Sequence, residues 1–585
     1  MAGAQTQAVP SGWRTDVLAS AGMMLVALAV AALGGFADLL RPTDNDSLLR
    51  LVEVRDLIAG QGWFDLMQYR LGPEGGVAMH WSRVIDAPIA ALILAGQTLG
   101  LSPAIAETIA ATVWPAALFG ASVFLIMRIA RLVYGDDSAF PAVVVGGLAL
   151  MSIAIFLPGM IDHHNAQLML VLLALWGLIA GSILTLAVAG GAAALSLAIG
   201  METAPYVAIA GIVAALPLIG GNAGDTRQKA PGFGLGFAAI AAAAFLATVP
   251  WASWGVAACD AFSATHLAIA VPAGIGLAAA AFVPARGMRI VALGVLAAGV
   301  AAIAIVAFPQ CLADPYASLD PTLKRLWLAG VVEAQSVVSI ARSDPAIFAS
   351  RYVTPMLALI VITQRALAGR MTAREAILAA FLTGAILVSF WQVRGALFSV
   401  PIAAIVLSGW IARNRATAAS KPALVALVWI VSINSVWAAI GGQADRLLQA
   451  PASAVPSGAG ACLRADDIRP LATLPPQTVL AVSNLGPAIL RYTPQRVLAG
   501  PYHRNVEGNL AAMRAMLAPP AEAEAIMRAN KVGIVAFCPG NPETALLVRE
   551  AVNGLAAALS AGDAPAWLRP VSPPGQALQL YLIHK

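Results

Sequence analysis

Stretch after stretch of this chain runs for about 20 residues with almost no charge, beginning with DVLASAGMMLVALAVAALGGF at 16–36. No other feature constrains the fold as strongly. In hydrocarbon a backbone must satisfy its own N–H and C=O groups, so runs of this length dictate helices that span a bilayer. Charged residues make up 11% of the 585, against roughly 25% in soluble domains. The chain therefore reads as a polytopic α-helical membrane protein. Spans fall at 16–36, 105–127, 139–158, 165–181, 183–200, 204–220, 232–251, 266–285, 288–308, 347–364, 376–391, 396–412 and 422–441, about 13 in all. The join between the fourth and fifth lacks polar punctuation, in LWGLIAGSILTLAVAGGAAAL. A shorter apolar stretch, 85–100, reads as a helix lying on or dipping into the membrane.

The first run exceeds the roughly 7–15 apolar residues of a signal-peptide core, and no small-x-small cleavage site follows. It reads as a retained helix with its amino end in the cytoplasm. The inner loops then hold Arg128 and Arg131, Arg227 and Lys229, Arg286 and Arg289, Arg365, Arg370 and Arg374, and Arg413, Arg415 and Lys421. That is the bias expected of cytoplasmic loops. It also explains the net charge of +5 without nucleic acid, because the basic residues are scattered through short loops and form no stripe. The implied location is a bacterial inner membrane, with 37–104, 309–346 and the tail on the periplasmic side.

The chain divides into a membrane part, 1–442, and a tail, 443–585, that is richer in proline and charge. TVLAVSN, RVLAG, VGIVAFC and ALQLYLI read as short strands, and 507–517, 520–530 and 541–560 as helices. A small periplasmic α/β domain follows from that alternation. Cys259, Cys311, Cys462 and Cys538 all fall on the outer side, an even number that suggests disulfides, with 462–538 the favoured pair.

The notable polar residues also favour that side. They are Asp44, Asp46, His80, Trp81 and Arg83 in the first outer loop, Asp162, His163 and His164 in GMIDHHNAQ, Glu202 in IGMETAPY, Glu333 in VVEAQ, and Arg394 in FWQVRGALFSVP. Carboxylates and imidazoles converging on one membrane face suit a hard or borderline divalent cation, and an arginine beside them can grip a phosphate. Taken singly, each has a plainer reading: a solvated acid, a helix cap, or an arginine reaching the headgroups.

In order and spacing these motifs resemble the catalytic subunits of bacterial and archaeal single-subunit oligosaccharyltransferases, within the GT-C glycosyltransferase superfamily. NDSLLRLVEVRDLIAG (45–60) is similar to the first-loop motif, placing its acid on Asp46. DHH is similar to the second acidic motif, VVEAQ to the short motif ending in Glu, and VRGALFSVPIAAIVL to the helix junction whose arginine contacts lipid phosphate. The resemblance implies a GT-C fold of about 13 helices with a carboxy-terminal outer domain. It implies a polyprenyl-(di)phosphate-linked sugar donor and an inverting, metal-assisted transfer. Mg²⁺ or Mn²⁺ would be held by Asp46, Asp162, His164 and Glu333, with Arg394 on the donor phosphate. Asp46, Asp162 and Glu333 take the catalytic roles. Where the family carries Trp-Trp-Asp-Tyr-Gly this chain has SNLGPAIL (483–490), so the acceptor is expected to be a glycan, a lipid or an unfamiliar protein site. His503 and Arg504, in AGPYHRN, could face it or form a surface turn. A transporter or lipid flippase of envelope precursors is the alternative, predicting charges at the bilayer midplane and repeated halves. Neither is evident.

Overall fold

The computed structural model describes residues 12–33, 44–220, 223–314, 316, 319–417, 421–448, 462–573 and 576–584. Residues 34–43 and 449–461, parts of the expected first loop and tail, lie outside this set, as do the side chains of Arg227 and Lys229. Eight described helices are long and apolar enough to cross a membrane: Trp13–Leu33, Pro103–Tyr134, Met201–Gly220, Pro231–Thr248, Arg286–Ala307, Pro345–Leu367, Ala373–Trp391 and Val393–Thr417. His164–Ala180, Ile183–Ile199 and Ala264–Ala280 are apolar but shorter, at about 1.5 Å per residue roughly 25 Å long. The last expected span is two helices, Pro422–Ser432 and Asn434–Leu448, with a 73° bend between them.

Two departures from the expected spans are informative. The helix expected over 139–158 stops at Ser152. Ala154 and Gly159 adopt positive φ (61° and 91°), and the chain coils through Pro158 to Ile161 before the next helix starts at His164. That irregular segment delivers Asp162 and His163. The unpunctuated join is broken at Gly181, left-handed at φ 71°, followed by Ser182 in a capping box with Thr185. Glycine and serine are the residues a helix stop and restart require.

Small residues let the helices approach closely. A Cβ on Gly190 would stand 2.1 Å from the Phe233 carbonyl oxygen, and one on Gly236 would stand 2.2 Å from that of Ala187. Packing of this kind replaces the hydrophobic driving force that lipid cannot supply. The expected inner ends do gather. Arg374 Nη1 donates to Leu132 O (2.6 Å), Arg365 pairs with Glu375 (2.6 Å), and Arg413 lies 5.2 Å over the Tyr134 ring.

The tail forms a five-stranded sheet in the order β4-β3-β5-β7-β6. β3 (Thr478–Leu480), β4 (Arg496–Val497) and β5 (Val532–Phe537) are parallel; β7 (Gln579–Ile583) runs antiparallel to both its neighbours, β5 and the edge strand β6 (Leu568–Pro570). The expected 541–560 helix is two, Pro542–Glu550 and Leu555–Ala561. Helices Ala465–Ala472 and Gly486–Tyr492 and the edge strand β6 were not expected from the sequence. A two-stranded ribbon, β1 (Met67–Gln68) with β2 (Val77–Ala78), sits in the first long loop. That loop extends the tail sheet: Val497 N donates to Arg70 O and Gly72 N to Val497 O, each at 2.8 Å. Leu48, Leu49, Val52, Leu71, Met79 and Trp81 share one apolar core with the tail strands. The tail is thus built onto the first loop. Disulfides join Cys462 to Cys538 and Cys259 to Cys311.

Helix Arg83–Thr98, the short apolar stretch, buries Ile85, Ile89 and Ile93 in the core shared with Pro103–Tyr134.

Candidate active site

A cavity of about 1230 Å³ lies where the long loops, several helix ends and the tail meet. Asp44, Asp46, His163, His164, Glu202, Glu333 and Arg394 line it, and so do His80, His503 and Arg504. Residues drawn from across the sequence therefore share one chamber.

Helix Asn45–Ile58 starts at the cavity with Asp44 as its N-cap, whose carboxylate accepts from Ser47 N (2.6 Å) and Ser47 Oγ (2.8 Å). Capping consumes the Asp44 side chain. Asp46, in the first turn, accepts no hydrogen bond from any described residue. Burial and the neighbouring charges of Asp162, Asp44 and Glu333 push its carboxyl up to about 8. Burial and Asp162 likewise raise Asp44, to about 6. Acids that raise one another mark a place where a cation is wanted.

Asp162 does not line the cavity; it stands one layer back. Its Oδ1 faces His163 Nδ1 at 2.5 Å, and its Oδ2 faces His164 Nδ1. The two rings stack at 4.3 Å. Burial alone would raise the Asp162 carboxyl, but the two imidazoles hold it well below the usual carboxylate range. Burial pulls His163 down, yet Asp162 and Glu202 outweigh it and raise it to about 10. With Nδ1 fixed, each ring presents Nε2 forward. His163 Nε2 meets Glu202 Oε1 at 2.8 Å, from the turn Met201–Thr203. His164 Nε2 is buried, 3.7 Å from Glu202 Oε1, and has no hydrogen-bond partner among the described residues.

Behind this layer sequence reasoning named Trp81 and Arg83 but missed Arg50 and Asp86. Arg50, fully buried, bonds to Asp86 (2.8 Å), lies 3.9 Å from Asp162 Oδ1, and sits 4.4 Å over the Trp81 ring. Arg83 braces Asp86 from its other oxygen at 3.0 Å. The available signal was Arg50 and Glu53, an i,i+3 charge pair inside an otherwise apolar helix stretch.

Across the cavity wall, Arg394 and Glu333 form an ion pair, Nε to Oε2 at 3.0 Å and Nη2 to Oε2 at 2.9 Å. A second cluster unites the secondary candidates. His503 Nε2 lies 2.7 Å from Asp260 Oδ2, Arg504 forks the same carboxylate at 2.7 Å on each oxygen, and the His80 ring is 4.6 Å from that of His503. Asp260 was also missed; its one marker is adjacency to Cys259. Burial, then His503 and Arg504, lower His80 to about 3, so its ring is neutral.

Asp162, His163 and His164 offer ligand atoms within 4.8 Å of one another; Asp46 and Glu333 are not part of that close group. The full set Asp46, Asp162, His164 and Glu333 shares a neighbourhood and not one ligand shell. The donors still suit a divalent cation: an orphaned buried Nε2 on His164, a carboxylate on Asp46 without donors, and a surplus of acids around both.

No protein-family model matches the chain, and no curated protein matches it in sequence. Solved structures do. The apo oligosaccharyltransferase of Archaeoglobus fulgidus is 14% identical, with a TM-score of 0.65 over 98% of this chain and 75% of that one. The archaeal oligosaccharyltransferase AglB from Archaeoglobus fulgidus, in complex with an inhibitory peptide and a dolichol-phosphate, is 13% identical, TM-score 0.62, over 96% and 74%. The Archaeoglobus fulgidus oligosaccharyltransferase in complex with Zn and sulfate is 13% identical, TM-score 0.56, over 96% and 73%.

Proposed function

We propose that this chain, a polytopic membrane protein with the GT-C fold of the archaeal oligosaccharyltransferase, is a membrane glycosyltransferase. It moves a sugar or oligosaccharide from a polyprenyl-phosphate or -diphosphate donor to a glycan, lipid or protein acceptor. The reaction is placed on the periplasmic face, where the positive-inside bias puts the tail. One observation carries the reading: Asp46, His164, Glu202, Glu333 and Arg394, from five separate segments, line one cavity with an anchored Asp162 behind them.

Arg394 grips the donor phosphate with its fork, exchanging Glu333 for phosphate oxygens. Asp46 and His164 Nε2 would hold the cation, Glu333 would join them from its loop once Arg394 has released it to take the phosphate, and Asp162 orients both imidazoles. Mg²⁺ or Mn²⁺ bound there supplies neutralisation of the charge on the departing phosphate. Asp46 is also the first choice of base. The acceptor oxygen or nitrogen forms its bond to the anomeric carbon as the sugar–phosphate bond breaks on the opposite face. The electron pair leaves on the phosphate, the acceptor proton passes to Asp46, and the configuration inverts.

The test is transfer from a labelled polyprenyl-linked sugar by the purified, detergent-solubilised protein. Asp46→Ala and Arg394→Ala abolish transfer while the protein still accumulates in the membrane, and chelation of divalent metal abolishes it in the wild type. Undiminished turnover in both variants ends the assignment.

A further inference from the structure

The Asp162 group is not the only meeting of imidazole and carboxylate. His80 comes from the loop after β2, Asp260 from the loop between helices Ala223–Thr248 and Ala264–Ala280, and His503 from the tail. A ligand atom of each lies within 4.8 Å of the other two. The loop carrying Asp260 is pinned by the Cys259–Cys311 disulfide immediately before it. His80 Nδ1 is buried and has no hydrogen-bond partner among the described residues, a costly condition for a polar atom.

We infer that His80, Asp260 and His503 form a second cation site, one that takes Zn²⁺ and clasps the tail to the outer loops. Two imidazoles and one carboxylate are the donors a borderline d¹⁰ ion selects, whereas Mg²⁺ prefers oxygen ligands. A proton between His503 Nε2 and Asp260 Oδ2 explains their 2.7 Å separation but gives His80 no part. A cation employs all three. Arg504, with Nε and Nη2 each 2.7 Å from an Asp260 oxygen, then acts as the outer hydrogen-bond donor that orients a ligating carboxylate. It also donates to Met79 O at 3.2 Å, next to His80, so it braces two of the three ligand segments. The inference goes beyond sugar transfer and does not depend on it.

The full-length protein in detergent is loaded with Zn²⁺, gel-filtered, and its metal counted by mass spectrometry. The wild type retains one equivalent more than His80→Asn or His503→Asn. Equal Zn²⁺ content in all three overturns the site and leaves Asp260 an ordinary ion-pair partner. Because the readout is a difference, absence of metal at Asp46 lowers every count alike and does not disturb it. A second measurement avoids reliance on the histidine variants. In Asp46→Asn, with the acid-rich centre disabled, added Co²⁺ gives the visible absorption of tetrahedral coordination, and a colourless protein overturns the inference.

Discussion

Asp16 and Asp162 are both buried carboxylates surrounded by cationic side chains, yet they are built for opposite ends. Asp16, fully buried on helix Trp13–Leu33, accepts from Arg128 Nη1 at 3.1 Å and Arg131 Nε at 2.9 Å. Guanidinium groups are donors with no lone pair to offer a cation, so this contact is an ion pair and not a ligand set. Asp162 has imidazoles as its near partners and holds the one guanidinium, Arg50, at 3.9 Å. Imidazole nitrogens exchange protons and bind cations. The contrast separates a clamp from a site better than burial or charge count does.

The comparison breaks if both aspartates matter in the same way. Asp162→Ala removes the group that orients two rings at once, and transfer falls on the order of 1,000-fold or more. Binding of Mn²⁺ by the purified protein weakens with it. Asp16→Ala leaves two guanidiniums facing each other in a buried place and costs about 3–5 kcal/mol of stability. Turnover per folded molecule stays unchanged in that variant. Thermal unfolding and transfer assays on matched detergent preparations separate the two effects; a catalytic loss in Asp16→Ala at full stability contradicts the division.

A middle case sharpens it. Asp260 pairs with both kinds of partner, His503 and Arg504, on a loop held by Cys259–Cys311. The paired change Cys259→Ser and Cys311→Ser releases a 52-residue separation and costs about 2–4 kcal/mol in thermal unfolding under oxidising conditions. No change in melting places the loop's order in the Asp260 contacts alone.

How much of this could be read from the sequence follows from the physics of each part. Every apolar run became helical, the last of them as two helices, because hydrocarbon leaves a backbone few choices. Length was less legible: Ser152 ends a helix early where Pro158 and Gly159 coil the chain, and apolar composition does not record that turn. The tail's main strands were visible by pattern. Its split at Ala551–Gly554 was not, since the apolar spacing carries through the break. Asp46, His164, Glu333 and Arg394 were named from motifs, and Glu202 as a polar residue beside them; all five line one cavity. Asp162 was named too, but its place behind the rings depends on which nitrogen each histidine turns toward it. Arg50 and Asp260 escaped notice because their partners, Asp86 and the His503–Arg504 pair, are distant in sequence and carry no spacing signal.

The smallest effect belongs to the ion pairs that lie on the surface of the same interface. Arg325, on helix Pro321–Leu326, meets Glu550 of the tail with side chains 60% and 32% exposed. Its geometry joins the same two bodies as Asp260 with Arg504, whose side chains are 25–30% exposed. Water and salt screen the outer pair, and both side chains lose rotamer freedom to make it. Arg325→Ala therefore shifts stability by less than about 1 kcal/mol, and less still at high ionic strength. Arg504→Ala, by contrast, strips a half-buried carboxylate of its fork and shifts it more. If urea or thermal unfolding ranks the two variants the other way round, the tail is held by surface charge and not by the cluster beside the cavity.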